Sequence, residues 1–101
     1  RMIAMSKAQE IRAYIEQNSP EALFIGNGEE HDSALIGTAK IFREEQLVEV
    51  TMYSYDELIK SFTERFRGDD SEDPEQDALE WVDYNVTGAY MGIYTPFIVY
   101  N

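Results

Sequence analysis

The spacing of the hydrophobic residues changes abruptly at Ser54, and this change restricts the chain to folds that combine strands with helices. Between residues 48 and 52, Val and Met alternate with polar residues, which is the period-two pattern of a half-buried strand. Over residues 55–67 the apolar positions recur at helical spacing, and Ser54 can cap the helix. This stripe consists of Tyr55, Leu58, Ile59, Phe62 and Phe66. We therefore predict an α+β fold in which this helix is closed by Gly68.

Two further segments have the composition of strands, and together they predict a small antiparallel sheet of about three strands. Residues 34–42 are rich in apolar and β-branched side chains, and the four residues R-E-E-Q at 43–46 separate them from the strand at 47–53. Four residues are a usual hairpin connection, so we expect these two strands to pair antiparallel. Residues 95–100 predict the last strand, with Pro96 at its start, where the missing N–H is harmless.

The N-terminal residues predict a peripheral helix. Ser6 and Gln9 form the capping-box pattern, and Pro20 ends the helical pattern near Asn18. The apolar stripe of this helix is narrow, which favours a position at the edge of the fold. Residues 21–28 then predict a short extended segment and a turn, from an apolar run followed by G-N-G.

A third helix is predicted to begin at Pro74, because Asp73 can cap it and Gln76 can complete a capping box. It should end near Gly88 and, together with the helix over 55–67, cover one face of the sheet. Its expected buried row is Leu79, Val82 and Val86, flanked by Trp81 or Ala78.

Length and composition bound the class of protein. A chain of 101 residues without cysteine fits one domain and excludes disulfides and thiolate metal sites, which suits a reducing cytoplasm. No apolar run is long enough to cross a membrane. Arg1 precedes Met2 and is expected to be a remnant of expression, with Met2 or Met5 as the natural start. Residues 1–5 are accordingly expected to be such a remnant or disordered.

Negative charge is concentrated in the last third of the chain. The net charge is -12, and residues 68–101 contain eight acidic and no basic residues. The acids are Asp69, Asp70, Glu72, Asp73, Glu75, Asp77, Glu80 and Asp83. Because phosphates are bound by Lys and Arg, direct binding of nucleic acid is disfavoured and the expected partner is a basic protein. Carboxylates on a loop and a helix face can imitate DNA phosphates, although solubility and the helix dipole also account for them.

The same acids invite comparison with a calcium-binding EF-hand loop. Asp69, Ser71, Asp73, Asp77 and Glu80 fall at positions 1, 3, 5, 9 and 12 of such a loop. Position 6 needs a glycine for the sharp turn, but Pro74 stands there and fixes φ. We therefore favour a solvated acidic loop and a capped helix, and expect no metal and no cofactor.

No group of residues predicts catalysis. His31 is the only histidine, its acidic neighbours are typical of a surface loop, and no Ser or second His stands in a recognisable nucleophile context. Glu80 and Asp83 lie one helical turn apart, but such carboxylate pairs usually form a solvated helix face. We therefore expect a non-enzymatic protein with no catalytic residue.

Residues 78–96 hold the only Trp together with several Tyr and Gly residues, and this block is the densest part of the chain. Trp81 and Phe97 are expected in the core. Tyr90 and Tyr94 lie beside glycines, so partial exposure and contact with a partner are expected there.

Three segments resemble a family of small uncharacterised proteins from tailed phages and prophages. They are D-S-A-L-I-G at 32–37, Y-S-Y-D-E-L-I at 53–59 and, most specific, Y-N-V-x-G-A-Y-x-G-x-x-T-P at 84–96. The resemblance covers residues 22–100 and implies a viral setting and a small α+β domain. It carries over no catalytic residue, and the first helix and the density of acids at 69–77 are less typical of the family.

These observations lead to two hypotheses about function. The first is a non-enzymatic, phage-encoded interaction protein in the host cytoplasm, in its sharpest version a DNA-mimicking inhibitor of a host DNA-binding or defence factor. Its expected contact residues are the eight acids together with Tyr90 and Tyr94. The second is a small ligand-binding or enzymatic module in the region 84–95, which requires Tyr84, Asn85 and Thr95 to converge on a cavity.

Overall fold

The computed structural model describes residues 4–100, and this part of the chain contains three α-helices, one 3₁₀ turn and three strands. In chain order they are α1 (Lys7–Asn18), the 3₁₀ turn (Asp32–Ala34), β1 (Leu35–Arg43), β2 (Gln46–Ser54), α2 (Tyr55–Gly68), α3 (Pro74–Asn85) and β3 (Phe97–Val99). The predicted α+β class is thereby confirmed. The expectations about Arg1 and Met2 lie outside the described residues.

The sheet has the order β1-β2-β3 and is mixed rather than wholly antiparallel. β1 and β2 form the predicted antiparallel hairpin, whereas β3 pairs with β2 in parallel. The antiparallel prediction was wrong for β3 because the chain passes through α2 and α3 before it returns, and such a long connection permits the parallel direction. β3 also covers only Phe97–Val99 instead of residues 95–100.

The turn between β1 and β2 is shorter than predicted. Arg43 pairs with Gln46, so the turn contains only Glu44 and Glu45. Their φ angles are 50° and 67°, the sign that a type I′ turn requires at both central positions. The four-residue loop was a wrong prediction, because a Glu-Glu pair lacks the Asn-Gly signature by which this turn is usually recognised.

The N-terminal ends of α1 and α2 are capped as predicted. Ser6 Oγ accepts a hydrogen bond from the backbone N–H of Gln9, whose side chain accepts one from the backbone N–H of Ser6. Ser54 Oγ accepts from the backbone N–H of Glu57 at 3.3 Å. α2 ends at Gly68, one residue beyond the predicted last residue Arg67, and Asp69 is its C-cap.

α3 begins at Pro74 as predicted, but the second capping box does not form and the helix ends earlier. Asp73 accepts from the backbone N–H of Gln76 at 3.3 Å, while the Gln76 side chain donates to Glu80 at 3.1 Å. The helix ends at Asn85, before the Gly88 that was expected to end it.

The buried side of α3 also differs from the prediction. Ala78 and Val82 are fully buried, but Leu79 is 38% and Trp81 43% exposed. α3 packs mainly on α2, and Ala78 and Val82 are its members of the hydrophobic core. Leu79 and Trp81 are left at the margins of the contact between the two helices. The same placement in the core was wrong for Phe97, which is 41% exposed on β3.

The hydrophobic core lies where the helices meet the C-terminal part of β2. It consists of Ile15, Ala22, Ile25, Ala34, Leu35, Tyr53, Leu58, Phe62, Ala78 and Val82. The predicted stripe of α2 is therefore confirmed at Leu58 and Phe62. α1 packs on β1, an edge strand of the sheet, in agreement with the predicted position at the edge, and it buries Ile15. The predicted position of α3 on the sheet was wrong, because α3 packs mainly on α2. None of the helices within residues 4–100 has the length and apolar character that spanning a membrane requires.

Candidate interaction surface

All eight acidic residues of the last third of the chain are exposed. They run from the end of α2, through the connecting loop, onto α3, and we call them the acidic surface. In the part of the chain that the structure describes, every ion pair uses residues between Arg12 and Arg67. No carboxylate of the acidic surface therefore has a basic partner within residues 4–100.

Four members of the acidic surface do accept hydrogen bonds from neutral groups. Asp73 caps α3, Glu80 accepts from a glutamine, and Asp77 accepts from Ser71 Oγ at 2.5 Å. Asp83 accepts from the Tyr55 hydroxyl at 2.6 Å, and this bond raises the pKa of Tyr55 to about 12 because the phenolate would face a carboxylate. These bonds position the side chains and leave their negative charge uncompensated.

The other four members, Asp69, Asp70, Glu72 and Glu75, have no side-chain hydrogen bond among the described residues. Asp70 has a φ of 62°, in the left-handed region that Asp and Asn tolerate best after Gly. These four carboxylates are thus free to follow an approaching partner.

Tyr90 and Tyr94, predicted to contact a partner beside the acids, are placed elsewhere. Tyr90 is 59% exposed and donates to Glu44 Oε2 in the hairpin turn at 2.8 Å. Its pKa is raised by this hydrogen bond. The guanidinium of Arg43 lies 5.7 Å from the centre of the Tyr90 ring, and Tyr94 is half-buried. Tyr90 therefore attaches the segment between α3 and β3 to the hairpin turn. No contact in the described structure joins Tyr90 to the acidic surface.

Tyr84, Asn85 and Thr95 do not converge on one cavity. Asn85 lines a partly open cavity of about 230 Å³ together with Met91. Thr95 is buried, and its Oγ1 accepts from Met91 N at 2.7 Å and donates to Gly92 O at 2.6 Å. The hydroxyl of Thr95 thus closes the loop before β3 and does not face the cavity.

His31 is buried, with 1% of its surface exposed, and the prediction of a surface loop residue was wrong. Its ring stacks on Phe62 with centroids 3.9 Å apart. Gly26 also lies against His31: its φ of 84° favours glycine, and a Cβ there would be 2.5 Å from His31 Cδ2. The glycine of the G-N-G turn is the one sequence signal for this packing.

His31 also lies in contact with a serine, an association that the sequence did not reveal. His31 Nδ1 is 2.7 Å from Ser61 Oγ, and Ser61 Oγ donates to the backbone oxygen of Glu30 at 3.1 Å. Because the single hydroxyl proton of Ser61 is donated to this carbonyl, Ser61 Oγ can only accept from His31 Nδ1. The contact between Ser61 and His31 holds the imidazole ring in place. His31 Nε2 lacks a hydrogen-bond partner among the described residues, although Glu30 Oε1 lies 3.3 Å away.

Arg12 holds the segment before β1 against α1. It donates to both carboxylate oxygens of Asp32, at 2.5 and 2.9 Å, and to Gly28 O at 2.7 Å. The hydrogen bond to Asp32 raises the pKa of Arg12. The guanidinium also lies 3.9 Å from the centre of the Phe24 ring, so one side chain fixes three points of this segment.

The described residues contain no group of three or more His, Asp or Glu side chains placed to hold a metal ion. Pro74 starts α3 at the position where an EF-hand loop would bend.

Comparison of the chain with protein families, with curated proteins and with solved structures finds no match. The resemblance of residues 84–96 to phage proteins therefore stays a prediction.

Proposed function

We propose that this chain is a non-enzymatic interaction protein that binds a basic protein through the acidic surface. One observation carries the proposal: all eight carboxylates are exposed, and none of them forms an ion pair within residues 4–100. Every ion pair in that range uses an acid between Glu16 and Glu64 instead. Uncompensated charge of one sign attracts a partner of the other sign and accelerates association.

The sharpest form of the proposal is mimicry of DNA. Asp77, Glu80 and Asp83 are spaced by three residues along α3, which corresponds to about 4.5 Å along the helix axis. The phosphates of one DNA strand follow each other every ~3.4 Å along its axis. The two axial repeats are not equal, but both arrangements present a row of regularly repeated negative charges to a basic cleft. A phage would use such a protein in the host cytoplasm against a DNA-binding or defence factor.

Competition with DNA tests this proposal. A basic bacterial DNA-binding protein is bound to labelled duplex DNA, and increasing amounts of this chain are added at low and at high salt. We expect displacement of the DNA at low salt and loss of displacement at high salt, because the attraction is screened. Failure to bind any of a panel of basic DNA-binding proteins at low salt contradicts the proposal.

Two variants with equal net charge separate a local surface from overall charge. The first carries Asp69→Asn, Asp70→Asn, Glu72→Gln and Glu75→Gln, and should compete poorly. The second carries Glu10→Gln, Glu21→Gln, Glu29→Gln and Glu45→Gln at exposed, unpaired positions elsewhere, and should compete like the original protein. Equal loss in both variants would show that only the total charge matters.

A second candidate function, small-ligand binding, is favoured by the partly open cavity that Asn85 and Met91 line. Its volume is about 230 Å³, and its walls are apolar except for Arg65 and Asn85. The other lining residues are Phe24, Ile25, Gly26, Phe62, Trp81, Val86, Met91 and Pro96. An apolar cavity with a guanidinium and an amide suits a small organic anion.

Ligand-observed NMR with a set of small aliphatic and aromatic carboxylates tests the second candidate. Binding that saturates and is lost in Arg65→Met, which keeps an unbranched apolar stem but removes the guanidinium and its charge, would favour a ligand. Unchanged spectra for every carboxylate would remove this candidate.

A further inference from the structure

α3 turns an aromatic and acidic side to the solvent next to the acidic surface. Trp81 is 43% and Tyr84 83% exposed, and Trp81 packs edge-on against Phe66 with centroids 6.1 Å apart. These three rings line a shallow concavity of about 350 Å³, which we call the aromatic concavity. Asp77 and Glu80 complete its rim together with Asn85.

The chemistry of the aromatic concavity suits a cation. Aromatic faces carry partial negative charge and attract a cationic group above them. Asp77 and Glu80 add full negative charges at the rim, and neither has an ion-pair partner among residues 4–100. Arg65 lies over the Phe66 ring at 5.9 Å, but it pairs with Glu30 and lines the partly open cavity beside Asn85 instead.

We propose that the aromatic concavity binds an arginine side chain of the basic partner. A guanidinium is planar, so it can stack on Trp81 or Tyr84 while its N–H groups donate to Asp77 and Glu80. A lysine ammonium has the same charge but offers neither the planar face nor the fork of donors. The inference rests on the proposed function and names the side chain that the surface selects.

Trp81 reports the binding directly, because it is the only tryptophan of the chain. Two capped peptides of equal length, one alternating Arg with Gly and the other Lys with Gly, are titrated while Trp81 fluorescence is recorded. We expect both peptides to bind at low salt, the arginine peptide more tightly. A preference of roughly 2- to 5-fold corresponds to one exposed cation–π contact.

Substitutions at Tyr84 test the contribution of the ring. Tyr84→Ala should weaken the arginine peptide by roughly 2- to 5-fold and reduce the preference over lysine. Tyr84→Phe keeps the aromatic face and should bind like the original protein. Because Tyr84 is so exposed, neither change should shift the thermal midpoint of unfolding, which is measured for each variant.

Two pairs of acid substitutions distinguish the concavity from the surrounding charge. Asp77→Asn with Glu80→Gln removes both rim charges, while Asp70→Asn with Glu72→Gln removes two charges outside the concavity. The first pair should abolish the preference for arginine, and the second should leave that preference intact.

The outcomes separate the two proposals. Equal affinity for the arginine and lysine peptides, or equal effects of the two acid pairs, overturns the arginine site but leaves binding by the acidic surface standing. Absence of peptide binding, when the chain still displaces DNA from a basic protein, also overturns the arginine site alone. Absence of both kinds of binding overturns the proposed function as well.

Discussion

Several buried polar side chains are paired with groups far away in the sequence. The Tyr53 hydroxyl accepts from the backbone N–H of Ile25 at 3.0 Å, and burial raises the pKa of Tyr53 to about 12. Glu49 accepts from Ser19 and Thr38, and these bonds lower the pKa of Glu49. Such contacts attach residues 19–25 to β2, which no local pattern in the sequence indicates.

Among the polar contacts between distant residues, the pair of Arg12 and Asp32 should contribute most to stability. Arg12→Met removes the partner of Asp32, whose side chain is only 8% exposed, and leaves a buried carboxylate unpaired. We expect a loss of about 3 kcal/mol in the free energy of unfolding, measured with urea. Adding Asp32→Asn should recover part of this loss, and a loss below about 0.5 kcal/mol in Arg12→Met, as for an exposed pair, would contradict the assigned role.

His31 should make stability depend on pH in a range where no carboxylate of ordinary pKa titrates. Burial lowers the pKa of His31, and its charged neighbours are Glu30, Asp32 and Arg65. The unfolded chain therefore binds more protons once the pH falls below about 6.5, so stability is complete above that pH and decreases as the pH falls toward the folded-state pKa.

Urea unfolding between pH 7.5 and 5.5 measures this effect, and His31→Gln provides the comparison. The variant should be less stable at pH 7.5 and should lose less on acidification. A protein whose stability is equally pH-dependent with and without His31 would show that the effect has another source.

At the scale of elements, the sequence predicts what is local and fails where packing decides. The start of α3 at Pro74 follows from Asp73, which acts within its own turn. The exposure of Trp81 could not be predicted, because the apolar pattern of α3 does not say which side meets α2. The parallel direction of β3 likewise depends on the path of the whole chain. The burial of His31 could not be predicted either. It depends on contacts with Phe62 of α2 and with Gly26, which no regular spacing in the sequence indicates.

The hairpin turn offers a test at this scale. Glu45 has a φ of 67°, a left-handed conformation that a residue with a side chain adopts at a cost. Glu45→Gly should raise the free energy of unfolding by about 1 kcal/mol, because glycine adopts this conformation without a clash. Glu45→Ala keeps the Cβ and serves as the control without this gain. Equal stability of both variants would contradict the turn geometry.

At the scale of the whole molecule, the unpaired acids should repel each other. The net charge is -12, and none of the acidic surface is neutralised within the described chain. Raising the salt concentration from about 10 to 300 mM screens this repulsion and should raise the thermal midpoint of unfolding. The variant neutralised at residues 69, 70, 72 and 75 should gain less from salt. If salt raised the thermal midpoint of both proteins equally, the repulsion would not come from these four acids.

The concentration of acids could be predicted from the sequence alone, since charge needs no fold to be counted. Its exposure and its lack of ion pairs could not, because Arg65 and Arg67 lie close in sequence to Asp69 but pair with Glu30 and Glu64 instead. The aromatic concavity could not be predicted from the sequence either, because it requires Phe66 of α2 to lie beside Trp81 of α3, and this contact depends on how the two helices pack.

One measurement tests the central claim, that the acidic surface binds a basic protein. The ¹⁵N-labelled chain is titrated with a basic bacterial DNA-binding protein, and changes in the NMR spectrum are assigned to residues. We expect the changes to concentrate at residues 69–84 and at the indole N–H of Trp81, and to reverse on addition of DNA. Changes confined to α1 or the hairpin, or a spectrum that does not change at low salt, would contradict the account.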